Sequence, residues 1–457
     1  MIFKTINPAT EEPIAEYETM PGEAVFELLA GCEAAYQNWR NLSITERIPY
    51  VRKLAEVLRN NKEKYAKLIT IEMGKPITES RAEIEKCAWT AEVYADNADA
   101  WLEDLVVAAD GKAHYVIHQP FGVILSIMPW NFPFWQALRF GIPTLIAGNV
   151  SMLKHSNTVP QCALAIEEAF LKAGFPEGVF RTILVDHDTV AELIASDIIK
   201  GVSFTGSTEA GAQVAKLAGR YLKKVVLELG GSDPFIVLED ADIEFSVKNA
   251  VLGRNINTGQ SCIAAKRFIV LEKIAEQFST RFAELTAALK VGDPIDELTQ
   301  VGPLVNARAL ENLETQVNDA MGKGATVLTG GKRVTRKGYF YEPTVITNTT
   351  PAMKVLTEEV FGPVAPVIVA KDEAESIKMA NSSEFGLGGS VWTRDVDRGE
   401  RIAREIETGA VFVNSITKSD PRMPFGGVKK SGIGRELAQF GLKEFVNIKG
   451  LNIYEHK

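Results

Sequence analysis

The chain has 457 residues, 46% of them hydrophobic and 24% charged, enough for about three ordinary domains with sizeable cores. Its net charge of -9 argues against nucleic acid or an anionic membrane surface as the main partner. No apolar run reaches the roughly 18 residues of a membrane span, and the start "MIFKTINPATEEPIAEYE" has no basic segment followed by an apolar core, so no secretory signal is expected.

In chain order, residues 21–105 read as helical, with Val51, Leu54, Val57 and Leu58 on one face and Gly74 and Pro76 as punctuation. From "YVIHQPFGVILSIMPWNFP" onward the pattern changes to short apolar runs separated by Gly and Pro. Between about 120 and 230, strand-like runs such as "GVILSIM", "SMLK", "FRTILV", "IKGVSFTG" and "KKVVLELGG" alternate with helical segments. That order predicts a parallel sheet with crossover helices. A second alternating region runs from "PFIVL" near Asp233 through "KRFIVLE" to about Gly434. The tail "GLKEFVNIKGLNIYEHK" reads as an exposed strand, with 102–120 as its companion. An unpaired edge of that length invites association, so an oligomer is expected.

The four cysteines, Cys32, Cys87, Cys162 and Cys262, are far apart, and the five histidines do not cluster near them. A zinc site or disulfide framework is therefore not expected, and a reducing cytoplasm is the default location. Cys262 ends "NTGQSC", which reads as a polar, flexible turn, unlike the apolar setting of an inert structural cysteine. A nucleophilic thiol needs a base, an oxyanion site and something to hold its substrate. "PWNFP" offers the Asn131 amide, or merely a strand-end turn. "LELGG" places Glu228 at an apolar strand end, where desolvation would raise its proton affinity, or where a salt bridge would hold it. "FTGSTEAG" opens a helix whose N-terminal amides suit an anion, with Gly206 allowing close approach. The usual G-x-G-x-x-G dinucleotide fingerprint is absent: the nearest match, "SGIGREL", has Leu437 at the third position. Lys154 in "MLKHSN" stands at another strand end, where it meets either a phosphate or only water.

Singly these signals are weak; their order is not. "PWNFP", "FTGST", "LELGG", "NTGQSC", "EEVFGP" and "PFGGVKKSGIGRE" follow one another as in the aldehyde dehydrogenase superfamily, and the 34-residue step from Glu228 to Cys262 also fits. The chain resembles that superfamily over nearly its whole length, from "INPAT" onward. The resemblance implies an α/β aldehyde dehydrogenase-like fold with two Rossmann-like parallel-sheet domains and a small β oligomerisation domain. Residues 1–101 and 121–229 would bind cofactor, 230–434 would form the catalytic domain, and 102–120 with 435–457 the oligomerisation strands. It implies Cys262 as nucleophile, Glu228 as general base, and Asn131 with the Cys262 backbone N–H as oxyanion hole. Lys154, Ser156 and Asn157 would meet the adenosine ribose region, Gly206 and Ser207 the pyrophosphate, and Trp130, Glu359 and Phe361 the nicotinamide side. No metal is implied, and the expected assembly is a homodimer or homotetramer.

For the aldehyde, Arg139 lies eight residues after Asn131 and Ser419 six before Phe425. Succinate-semialdehyde dehydrogenases carry an arginine and a serine at these places, and "LKHSNTVPQCALAIEEAF" is similar to the bacterial branch of that group. The resemblance thus implies oxidation of succinate semialdehyde, with Trp135, Arg139, Ser261, Ser419 and Phe425 around the substrate. A structural ion pair is the competing reading of Arg139. Two departures stand out: Ile256 replaces a second arginine found in some members, and Ala264 replaces a second cysteine, so no local disulfide switch is expected. NAD-preferring relatives commonly carry a glutamate three residues after the lysine, but Asn157 stands here. NADP is therefore the expected cofactor, with NAD use still open. The competing functions are a dehydrogenase for another short aldehyde, such as lactaldehyde or glutarate semialdehyde, and a non-redox thiol hydrolase.

Overall fold

Two largely parallel sheets, each covered by helices, organise the α/β chain in the computed structural model, which describes residues 1–456. The first contains five parallel strands in the spatial order Lys224–Glu228, Ile199–Thr205, Val123–Met128, Val150–His155 and Phe180–Ile183. Every residue of Val150–His155 is buried, as expected for a strand covered on both faces. The helices Pro133–Ile146, Pro160–Lys172, His187–Ala195 and Thr208–Arg220 make the crossovers. The chain enters at Val123–Met128, builds outward to Phe180–Ile183, then returns to the other side at Ile199–Thr205. That reversal opens a crevice at the strands' carboxyl ends.

The second sheet has the order Thr326–Thr329, Thr344–Thr347, Val364–Ala370, Ala265–Leu271, Asp233–Val237, Gly388–Trp392 and Ala410–Val413; only its first pair is antiparallel. In a third, small sheet, Val446–Ile453 runs antiparallel to Ala113–Pro120, from Val446 opposite Pro120 to Ile453 opposite Ala113. Ile448, Leu451 and Ile453 on the outer strand are exposed.

Three details depart from the sequence reading. Gly432–Ile433 pairs with Lys224–Glu228, so the end of the 230–434 segment forms an edge of the first sheet. The tail does not start as a strand: Ala438–Leu442 is helical, because Leu437, Leu442 and Phe445 are drawn into the first core before the strand begins at Val446. The N-terminal residues form a hairpin, Ile2–Asn7 with Glu12–Glu18, that the sequence reading does not anticipate.

The helical reading of 21–105 resolves into Gly22–Trp39, Ile44–Asn60, Lys62–Met73 and Ile77–Trp101, with Val51, Leu54, Val57 and Leu58 all buried. Gly74 ends the third at φ +84°, where a Cβ would come within 2.6 Å of Pro303. The fourth helix carries Glu79, Glu83 and Lys86 on one face, at spacings of four and three, toward the centre of the molecule.

Candidate active site

Cys262 lies between the helix Ile243–Asn255 and the strand Ala265–Leu271, and the turn before it is not flexible. Asn257, Thr258, Gln260 and Ser261 are at most 2% exposed. Their polar groups are used internally, which is why the composition misleads. Arg254 donates to the carbonyls of Ala265 at 2.8 Å, Gly259 at 2.7 Å and Val360 at 3.3 Å. The Lys266 ammonium donates to the Ser261 and Cys262 carbonyls at 2.8 and 2.7 Å. The Asn257 N–H donates to Glu79 at 2.7 Å. This cage holds Asn257 and Thr258 in the left-handed region, at φ +52° and +57°, a costly conformation for a β-branched threonine. Burial pushes the Cys262 thiol up to about 12, against the opposing pull of Lys266 and Arg139, so the resting sulfur holds its proton.

Asn131 is buried at the N-terminal side of the helix Pro133–Ile146. Its side-chain amide donates to the Gln260 carbonyl at 3.1 Å, and its main-chain carbonyl accepts from the Asn257 side chain at 2.7 Å. One N–H of the Asn131 amide therefore remains for another acceptor. Among the described residues the Cys262 N–H has no protein acceptor either.

Glu228 ends its strand 3% exposed, and neither carboxylate oxygen has a hydrogen-bond partner among the described residues. Burial and the nearby Glu436 raise its proton affinity well above that of an ordinary carboxylate, with Arg139 and Arg435 offsetting part of the effect. The glycine-rich loop passes close over it: a Cβ on Gly426, at φ +149°, would lie 2.7 Å from Glu228 Oε1. Arg139 forms an ion pair with Glu436, both side chains nearly fully buried, and lies over the Phe425 ring at 4.7 Å. The salt-bridge reading of Arg139 is thus realised, although the residue also lines a cavity.

Two cavities meet at the thiol. The first, of about 190 Å³, joins Cys262 and Ser261 to Trp135, Arg139, Ser419 and Phe425, and also to Glu79, Glu83 and Lys86. The second, of about 220 Å³, joins Cys262 to Trp130, Asn131, Gly206, Ser207, Glu359 and Phe361. Glu359 accepts from the Gly231 N–H at 3.1 Å and pairs with Lys266 at 3.3 Å. Trp130 and Phe361 meet edge to face at 5.8 Å. Lys154, Ser156 and Asn157 stand outside this second cavity, at the carboxyl end of the neighbouring strand, where Lys154 donates to Asn157 Oδ1 at 3.0 Å.

The residues around the second cavity fit a dinucleotide. The carboxyl ends of three adjacent parallel strands converge there. Ser207 caps the 13-residue helix Thr208–Arg220, whose amide end attracts phosphate. Lys154 is desolvated enough to lower its pKa to about 8, a condition that an anionic group would relieve.

Sequence reasoning missed Glu79, Glu83 and Lys86. Glu83 accepts from the Phe134 and Trp135 N–H groups, both at 2.9 Å, and pairs with the fully buried Lys75, which fixes the start of the helix carrying Arg139. The available signal was three charges on one helix face, at spacings that an exposed amphipathic helix also shows.

The model of the aldehyde dehydrogenase family matches residues 1–451. The chain is 46% identical over 449 residues to a probable succinate-semialdehyde dehydrogenase (NADP+) of Synechocystis, covering 98% of this chain and 99% of that protein. It is 43% identical over 455 residues to a succinate-semialdehyde dehydrogenase (NADP+) of Deinococcus radiodurans, covering 100% of this chain and 95% of that protein. Among solved structures, the succinic semialdehyde dehydrogenase of Streptococcus pyogenes in complex with NADP+ superposes with a TM-score of 0.97 at 37% identity, covering 99% of this chain and all of that one. With a half-buried cysteine at the junction of two cavities and a family match along almost its entire length, the chain belongs to the aldehyde dehydrogenase family.

Proposed function

We propose that the protein oxidises succinate semialdehyde to succinate with NADP as hydride acceptor. The observation that carries this is Cys262 at the junction of the two cavities, with the unpartnered Glu228 carboxyl, which lines neither cavity, close enough to act on the thiol's charge. Arg139 and Ser419 in the first cavity, and the relatives named above, support the choice of a carboxylate-bearing aldehyde. Lys154 beside a neutral Asn157, rather than a carboxylate, supports a 2′-phosphate on the cofactor.

In this reading Glu228 takes the thiol proton as Cys262 Sγ attacks the aldehyde carbon, forming a thiohemiacetal. The free Asn131 N–H and the Cys262 N–H donate to the developing oxyanion. A bound nicotinamide would supply the hydride acceptor, chemistry that no side chain provides. Cys262 is then left as a thioester; Glu228, once its first proton has passed to solvent, takes a proton from water, hydroxide adds to the acyl carbon, and the C–S bond breaks to release the acid and regenerate the sulfur. Lys154, Ser156 and Asn157 would hold the adenosine ribose end of the cofactor, Gly206 and Ser207 its pyrophosphate, and Trp130, Glu359 and Phe361 its nicotinamide end. Trp135 and Phe425 would flank the substrate methylenes. Residues 1–101 and 121–229 would serve as the cofactor domain and 230–434 as the catalytic domain. A homodimer or homotetramer in the cytoplasm, joined through 102–120 and 435–457, completes the reading.

The test is formation of reduced nicotinamide from succinate semialdehyde. The reading expects one reduced cofactor per succinate formed and no turnover by Cys262→Ala. Succinate formation without cofactor reduction, or undiminished turnover by Cys262→Ala, would overturn it.

A further inference from the structure

A second cation faces the first cavity, and no carboxylate neutralises it. Lys86, on the helix Ile77–Trp101, donates to Ser419 Oγ at 2.6 Å and stands 4.3 Å from the centre of the Trp135 ring. Ser419 and Trp135 are 7% and 4% exposed, and all three residues line the cavity that reaches Cys262. The charged and titratable groups facing Lys86 are Arg139 from the helix Pro133–Ile146, Asp420 from the loop beyond Ala410–Val413, and Glu83 and Cys87 from its own helix.

Both of those carboxylates are already engaged, Glu83 with Lys75, and Asp420 with Arg422 at 2.7 Å. Arg139, the other enclosed cation of the wall, is matched by Glu436. Lys418 also borders the cavity but is exposed, where solvent screens its charge. Glu79, the remaining carboxyl of the wall, accepts from the Asn257 N–H and is raised by burial to about 7. The enclosed cation that touches Ser419 and has no carboxylate paired with it is therefore Lys86. A desolvated, unpaired ammonium favours an incoming anion.

The geometry points to Lys86, acting with Ser419, as the specificity-determining contact for the distal carboxylate of a short aldehyde acid. Ser419 accepts from the Lys86 ammonium through a lone pair and keeps its O–H to donate to the same carboxylate. The aldehyde carbon must lie at Cys262, so a short chain places its far end against the opposite wall, and the Trp135 and Phe425 rings flank the methylenes between. Arg139 contributes directional donors, and Lys86 an unpaired charge. This assignment rests on the proposed function above.

The experiment compares kcat/KM for succinate semialdehyde and for butanal, which lacks the carboxylate, in wild type, Lys86→Met and Lys86→Arg at saturating NADP. Lys86→Met is expected to lower the semialdehyde-to-butanal ratio about 30-fold or more, mainly through KM, because one partner of an enclosed charge pair is lost. Lys86→Arg should recover most of the ratio. In wild type the ratio should fall as the pH rises through about 8, where burial places the Lys86 deprotonation. Activation of the thiol is common to both substrates and cancels in the ratio. In Lys86→Arg this fall should be absent. A ratio left unchanged by Lys86→Met overturns the assignment; if that variant does not fold, a flat wild-type ratio across pH 8 overturns it equally. If wild type itself does not prefer the semialdehyde, the proposed substrate fails; if wild type prefers it and Lys86→Met does too, only the role of Lys86 fails.

Discussion

Replacing Arg139 with methionine removes one half of an ion pair whose side chains are 2% and 5% exposed. Glu436 loses the cation that moderates its raised proton affinity, and Glu228 loses one of the two arginines that offset its burial. Breaking such a pair from one side costs about 3–5 kcal/mol. Loss of the cation–π contact with Phe425, at 4.7 Å, adds about 0.5–1 kcal/mol. Arg139→Met is therefore expected to lose about 4 kcal/mol of stability. Glu436→Gln should lose nearly as much, because the guanidinium is then stranded. The double variant should be more stable than the two losses together imply, with a coupling energy of about 2 kcal/mol or more. The assay is urea unfolding of all four proteins at one protein concentration and one pH. Kinetics give a second check: Arg139→Met should slow butanal as well as succinate semialdehyde, because the electrostatic setting of Glu228 changes for both. Single losses below about 1 kcal/mol that simply add in the double variant would refute the buried-pair account. So would an Arg139→Met effect confined to the semialdehyde, which would make Arg139 only a reader of the distal carboxylate.

Glu228→Gln should separate activity from stability. The carboxyl's folded proton affinity is raised, so its penalty on the fold is absent at low pH and grows as pH rises toward and through its folded pKa. The variant is thus expected to lose about 10²–10⁴-fold in turnover while unfolding at a higher urea concentration than wild type, with the stability gain growing as pH rises above the ordinary carboxylate range. Asn157→Glu should set a carboxylate near Lys154 and weaken NADP at least about tenfold relative to NAD, read as the ratio of the two dissociation constants by quenching of tryptophan fluorescence. With its thiol pushed up to about 12, Cys262 in the cofactor-free enzyme should alkylate with iodoacetamide at a rate that rises steadily with pH through the alkaline range. A plateau near neutral pH, followed by peptide mass spectrometry of Cys262, would show that the sulfur is already a thiolate.

Much of this architecture can be read from local sequence because its parallel strands are buried on both faces. "GVILSIM", mainly apolar and followed by Pro129, and "GVSFTG", short and closed by Gly206, fall in Val123–Met128 and Ile199–Thr205 as expected. The chemical motifs lie at strand ends for the same reason, so their order along the chain survives as their convergence in space. Long-range pairing is what local pattern does not carry. Glu436 is nearly 300 residues from Arg139 in the chain, and nothing near either residue announces their pair. The turn before Cys262 looks solvated because it is polar, yet Arg254, Lys266 and Glu79 reach in from three elements and bury it. Lys86 carries no motif; its significance depends on Ser419, brought to it from the far end of the chain. The tail misled through its alternation, since Leu442, at the end of a short helix, and Phe445 are needed in the first core before the strand can start at Val446.

The central claim is that Cys262 carries the acyl group between oxidation and hydrolysis. The most direct measurement is rapid-quench mass spectrometry of Glu228→Gln mixed with succinate semialdehyde and NADP at alkaline pH, where the Cys262 thiol ionises without its base, with reduced nicotinamide followed in parallel. The account predicts a succinyl group on the Cys262 peptide in the same amount as the reduced cofactor, and no succinyl group when NADP is omitted. Reduced cofactor formed with Cys262 unmodified, or succinylation without NADP, would contradict it.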